Sequence, residues 1–103
     1  MKSINAAQLS TLDTDRVTLL DLRSREEFEL KSIAGSVNVP FNEISTGLSK
    51  LPKDKPVYVL CRTGDLSCEV VEILEDRGYD AYNIDGGYAA YVVDAALKIS
   101  PEL

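Results

Sequence analysis

From end to end the chain alternates between short apolar runs of strand length and segments whose apolar residues recur at helical spacing. No other feature constrains the fold as strongly. A strand, a helix and a second parallel strand close into a right-handed crossover, and repeating the unit builds a parallel sheet. The clearest run is Pro56-Val57-Tyr58-Val59-Leu60, apolar on both faces and therefore suited to a sheet covered on both sides. Residues 17–22 read the same way, and 36–39 and 81–84 are shorter strands bounded by Gly35, Pro40 and Gly86-Gly87. Helical segments fall between them. Asn5 caps one through Leu12, Ser24 caps residues 25 to about 31, and Asn42 caps one through Leu48 to Leu51. Ser67 opens a fourth, stopped by Arg77 and a left-handed Gly78, and the last spans 88–98 ahead of Pro101. The expectation is an α/β fold in one domain spanning 1–103, with a mostly parallel central sheet of about five strands and helices on both faces.

Composition removes several chemistries. The chain has no histidine, so Cys-His and Ser-His hydrolysis are excluded for want of an imidazole base. Two cysteines without histidine argue against a zinc site, and no motif asks for a cofactor or metal. They are also too few for a disulfide framework, which fits a reducing compartment. The start, Met1-Lys2-Ser3-Ile4-Asn5, lacks the apolar stretch of a signal peptide, so a cytoplasmic location is expected. A net charge of −6 disfavours nucleic acid and anionic membranes as partners.

Cys61 ends the clearest strand and is followed by a short loop and a helix. Open α/β sheets place their ligand crevice at that carboxyl edge, where Asp21 also falls. A helix start supplies unpaired N–H groups and partial positive charge, both of which favour a thiolate. Cys61 is thus the candidate nucleophile, and Arg62, Thr63, Gly64, Asp65, Leu66 and Ser67 form the candidate loop. If that loop curls around the sulfur, its amides stabilise an anion with fixed dipoles, Gly64 allows the curl, and the Thr63 and Ser67 hydroxyls add donors. Gly86-Gly87 is read as letting backbone pass close beneath the loop. Asp21, Arg23 and Glu27 are read as an ion-pair network, with Asp21, Arg23 and Tyr88 as candidates for lining the pocket. Tyr91 reads as a core or rim aromatic. Cys68 reads as a small core residue rather than a resolving thiol.

Four collinear segments resemble the single-domain rhodaneses, sulfurtransferases that carry a persulfide on one cysteine. Asp21-Leu22-Arg23-Ser24-Arg25-Glu26-Glu27-Phe28 is similar to D-x-R-x-x-x-E-F/Y. Ile33-Ala34-Gly35-Ser36-Val37-Asn38-Val39-Pro40 is similar to I-x-G-A-x-N-I/V-P. Cys61 to Ser67 takes the place of C-R-x-G-x-R-S, and Gly86-Gly87-Tyr88-Ala89-Ala90-Tyr91 resembles G-G-W/Y-x-x-W. The resemblance implies a rhodanese-like fold, with Cys61 taking sulfane sulfur and passing it to a thiol or other nucleophilic acceptor.

The departures narrow the donor. Leu66 stands where thiosulfate-using members usually carry a cation, and Asp65 adds a carboxylate beside it. Thiosulfate is expected to be a poor donor; a small thiol persulfide, a polysulfide or a protein persulfide is expected instead. Ser32 and Tyr91 also replace the family's usual histidine and tryptophan. The chain further resembles the rhodanese domain appended to some coenzyme A disulfide reductases, which makes a flavoprotein disulfide reductase domain a candidate partner. A non-catalytic interaction or sensing domain on the same fold is the alternative. A phosphatase or arsenate reductase is rejected, because the loop has no closing arginine to hold an oxyanion.

Overall fold

Five short segments pair side by side. Ser3–Ile4 (β1), Thr18–Asp21 (β2), Val37–Asn38 (β3), Val57–Leu60 (β4) and Ala81–Ile84 (β5) form a single five-stranded sheet in the order β1-β5-β4-β2-β3. Every pairing is parallel. The structure, a computed structural model, describes residues 1–99. The expected stop at Pro101 lies outside them.

The strand period of two divides the core between the sheet's faces. Leu20, Leu22, Val57, Val59, Cys61 and Ala81 point to one side, where Asp65–Asp76 (α4) contributes Val70, Val71 and Leu74. Leu19, Leu60 and Ile84 point to the other, toward Leu9 of Ala6–Leu9 (α1) and Tyr88 and Tyr91 of Gly87–Ile99 (α5). Helices therefore cover both faces, as expected for a parallel sheet. Arg25–Leu30 (α2) follows β2 at the sheet's carboxyl edge, and Ile44–Gly47 (α3) lies between two 3₁₀ turns, Phe41–Glu43 and Leu48–Lys50. Among the described residues no helix is long and apolar enough to cross a membrane.

Several boundaries follow local chemistry. Asn5 and Gln8 form a reciprocal capping box, and the Ser24 hydroxyl accepts from the Glu27 amide at 3.2 Å. α4 ends at Arg77, with Gly78 beyond it at φ +89°. Other expectations need correction. α1 stops at Leu9 rather than Leu12, because the next residues close 3₁₀-type bonds from Thr11 to Gln8 and from Leu12 to Leu9. Asn42 caps nothing and sits within a 3₁₀ turn begun at Pro40. Ser67 does not open α4, which begins two residues earlier, at Asp65, just after Gly64. β1 was not expected: two residues at the chain's start carry no periodicity, and only pairing with β5 makes them a strand.

Candidate active site

β4 delivers Cys61 to the carboxyl edge of the sheet, where it is 4% exposed at the base of a cavity of about 560 Å³. The chain then turns through Gly64 and enters α4. Gly64 holds φ +97° and offers α4 no side-chain cap. Cysteine sulfur takes the cap's place. The amides of Gly64 and Ser67 donate to Cys61 Sγ at 3.0 and 3.4 Å. Ser67 is the third residue of α4, so its N–H is one that a helix leaves unpaired.

The other side of the loop explains this curl. The first turn of α5 also has unpaired amides. Tyr88 N donates to the Cys61 carbonyl at 2.8 Å, and Ala89 N to the Arg62 carbonyl at 3.0 Å. A trans peptide points its N–H opposite to its C=O. Holding those two carbonyls outward therefore turns the Arg62 and Thr63 amides inward. The contact requires glycine at two places. A Cβ on Gly87 would lie 2.4 Å from the Cys61 carbonyl oxygen, and one on Gly64 would lie 2.9 Å from Gly86 N. The close passage expected of Gly86-Gly87 is present.

Burial pushes the Cys61 thiol up, but the Ser67 hydroxyl, when its proton is turned to sulfur, and the amides of Ser67, Gly64 and Thr63 more than cancel it. The net effect holds the thiol below its ordinary range, with no base involved. Thr63 helps only through its backbone. Its hydroxyl faces Asp65 Oδ2 at 3.4 Å, so the expected hydroxyl donor to sulfur is corrected. The Ser67 hydroxyl accepts from the Cys61 thiol at 3.3 Å and donates to Asn83 Oδ1 at 2.5 Å.

The cavity is lined by Cys61, Arg62, Thr63, Asp65 and Leu66 of the loop, and by Leu22, Arg23, Ser24 and Glu27 across from it. Asp21 is not among them. It is fully buried, and its carboxylate holds the Arg23 amide at 2.8 Å and the Arg23 guanidinium at 3.0 Å. Arg23 also donates to the Lys31 carbonyl at 2.7 Å and lies 3.7 Å over the Tyr88 ring. Tyr88 thus supports the wall through Arg23 and does not line the cavity. Glu27 is not in that network either: it pairs with Arg62 at 2.9 Å, which holds its carboxyl below the usual range. Cys68 is half-buried rather than core, its thiol donating to the Gly64 carbonyl at 3.2 Å. Tyr91 packs with Tyr88 on the opposite face, rings 5.8 Å apart. A second cavity, of about 480 Å³, lies beside β3 and α3 and contains none of the candidate residues.

The rhodanese-like domain model matches residues 5–94. The chain belongs to the rhodanese-like family. A rhodanese-related protein of Thermoplasma volcanium is 33% identical and superposes with a TM-score of 0.84, covering 91% of this chain and 93% of that one. A sulfurtransferase of Allochromatium vinosum is 31% identical over 91 residues, 87% of this chain and 85% of its own. The reduced CoADR-RHD protein of Bacillus anthracis superposes with a TM-score of 0.83 at 26% identity, covering 96% of this chain but 17% of that protein. Rhodanese-like domains also occur within larger proteins: this chain spans 30% of the rhodanese-like/PpiC domain-containing protein 12 of Arabidopsis thaliana and 14% of a tRNA sulfurtransferase of Desulfurococcus amylolyticus.

Sequence patterns did not single out Asn83, Leu22 or Ser24 as residues of the site. A signal for Asn83 existed: it is a polar residue on the same strand face as Ala81, one turn of chain before Gly86-Gly87.

Proposed function

We propose that this chain is a rhodanese-type sulfurtransferase carrying the transferred sulfur as a persulfide on Cys61. The convergence of the Gly64 and Ser67 amides on one sulfur carries the reading, because fixed donors stabilise an anion there without an imidazole. The Cys61 thiolate attacks the outer sulfur of a donor R–S–SH. The donor's S–S bond breaks, and R–S⁻ leaves with its electron pair and takes a proton from solvent. The new Cys61 persulfide then loses its terminal sulfur to an acceptor thiolate, and Cys61 departs as thiolate.

The lining favours donors without strong negative charge. Arg62 is offset by Glu27 and Arg23 by Asp21, while Asp65 has no cationic partner among the described residues. Leu22 and Leu66 supply apolar wall. A small thiol persulfide, a polysulfide or a protein persulfide suits this pocket, and thiosulfate does not. The acceptor is a thiol or another nucleophile, and a flavoprotein disulfide reductase domain is the candidate partner, in keeping with the likeness to CoADR-RHD.

The test is intact-mass measurement after incubation with each donor. Wild type is expected to gain one sulfur from persulfide donors and little from thiosulfate; Cys61→Ser is expected to gain none. Absence of added sulfur from every donor would overturn the proposal. Cys61→Ser retaining full biological activity would favour a non-catalytic domain.

A further inference from the structure

The Ser67 hydroxyl has one proton and two neighbours that could take it. Its oxygen lies 2.5 Å from Asn83 Oδ1 and 3.3 Å from Cys61 Sγ, and all three side chains are buried. An amide oxygen only accepts, so the hydroxyl proton goes to Asn83 and the thiol proton points at the hydroxyl oxygen. The Asn83 amide is oriented from farther out. Its Nδ2 donates to Asp85 Oδ1 at 3.1 Å, and flipping it would set two acceptors against each other. Asp85 itself is exposed, in the turn after β5.

We propose that Asn83 and Asp85 are positioning residues that hold the Ser67 proton away from sulfur and so oppose loss of the Cys61 proton. This rests on Cys61 being the nucleophile. When its S–H bond breaks, the proton leaves to solvent through the cavity and the electron pair stays on sulfur. The Ser67 hydroxyl must then rotate its intact O–H bond from Asn83 to sulfur, or present a lone pair to an anion. Rotation leaves the buried Asn83 Oδ1 without its donor. The relay thus works against the loop amides and moderates their effect. That moderation has chemical value, since a thiolate with too low a pKa is a weaker nucleophile.

Other titratable or charged groups surround the sulfur. Arg62 and Asp65 belong to its own loop, Cys68 to α4, Glu27 to α2, Arg23 with its partner Asp21 to the segment at the end of β2, and Tyr88 to α5. Among the described residues, only Asp85 of the charged groups bonds to the side chain of Ser67 or Asn83.

The experiment is the pH dependence of Cys61 alkylation by iodoacetamide in the full chain, with Cys68 changed to Ser throughout. Asp85→Ala frees the Asn83 amide to turn its Nδ2 toward Ser67, which then donates to sulfur; the midpoint is expected to fall by about one pH unit. Asp85→Asn keeps an acceptor oxygen without the charge, and its midpoint is expected to stay near the parent's. Equal shifts in the two variants would mean that charge alone acts, and unchanged midpoints in both would mean that the relay does nothing; either overturns the proposal. Asn83→Asp is expected to raise the midpoint, and if it does not fold, the surface Asp85 pair decides alone. Alkylation requires no sulfur transfer. A relay shift without persulfide formation would therefore overturn only the proposed function, and the reverse result only the relay.

Discussion

Arg62 and Glu27 meet at 2.9 Å across the mouth of the cavity, and both side chains reach solvent. An exposed pair of this kind contributes about 0–1 kcal/mol to stability, so its consequence lies in the field it cancels. Glu27→Gln leaves the Arg62 charge unopposed beside Cys61. Steady-state assays are expected to show kcat/KM for thiosulfate rising about tenfold, with the gain fading as salt is added. A smaller change is expected for an uncharged persulfide donor. Thiosulfate turnover unchanged in this variant would show that pocket charge is not what disfavours the dianion. Leu66, 46% exposed in the wall of the cavity, contributes apolar surface without field.

The cradle belongs to no single element, because the first turn of α5 holds the loop carbonyls outward while α4 supplies amides from the other side. Gly87 is where the elements touch. Gly87→Ala would drive a methyl group into the Cys61 carbonyl and to 2.8 Å from Arg62 C and Gly64 N, all backbone that cannot yield cheaply. Urea unfolding is expected to show a loss of about 1–3 kcal/mol, and the alkylation midpoint of Cys61 is expected to rise as the cradle opens. Gly78→Ala is the control. It has positive φ as well, but no atom lies within 4 Å of the added carbon. It is expected to cost about 1–2 kcal/mol through backbone strain and to leave the alkylation midpoint in place. Equal midpoint shifts in both variants would argue against a local effect at the α5 contact.

Across the whole molecule, the fold's preference for one protonation state of Cys61 appears as pH-dependent stability. The folded thiol titrates below its ordinary value, so between the folded and unfolded pKa values the unfolded chain binds the extra proton. The stabilisation is fully present above the unfolded pKa, about 8.5, and is lost as pH falls through the folded value. Denaturation of wild type and Cys61→Ser across pH, under reductant, is expected to show their stability difference moving in favour of wild type as pH rises through that window, then levelling. A difference that falls over the same range would mean that burial outweighs the cradle.

The parallel sheet, its two covered faces and the strand that ends at Cys61 were legible in the sequence, because side-chain period and capping chemistry are local properties. The same is true of the Gly64 curl and the Asn5 and Ser24 caps. Ser3 and Ile4 were not legible as a strand, since their structure exists only through pairing with β5. Nor were the partners of the charges. Sequence proximity suggested Glu27 with Asp21 and Arg23, whereas packing joined Glu27 to Arg62, 35 residues away. Asn83 followed the same rule: only the crossover that sets β5 beside α4 brings its amide to Ser67. Local chemistry determined which atom could react. Long-range packing decided which groups hold its proton and which charges face it, because those contacts depend on side-chain directions that no run of neighbouring residues encodes.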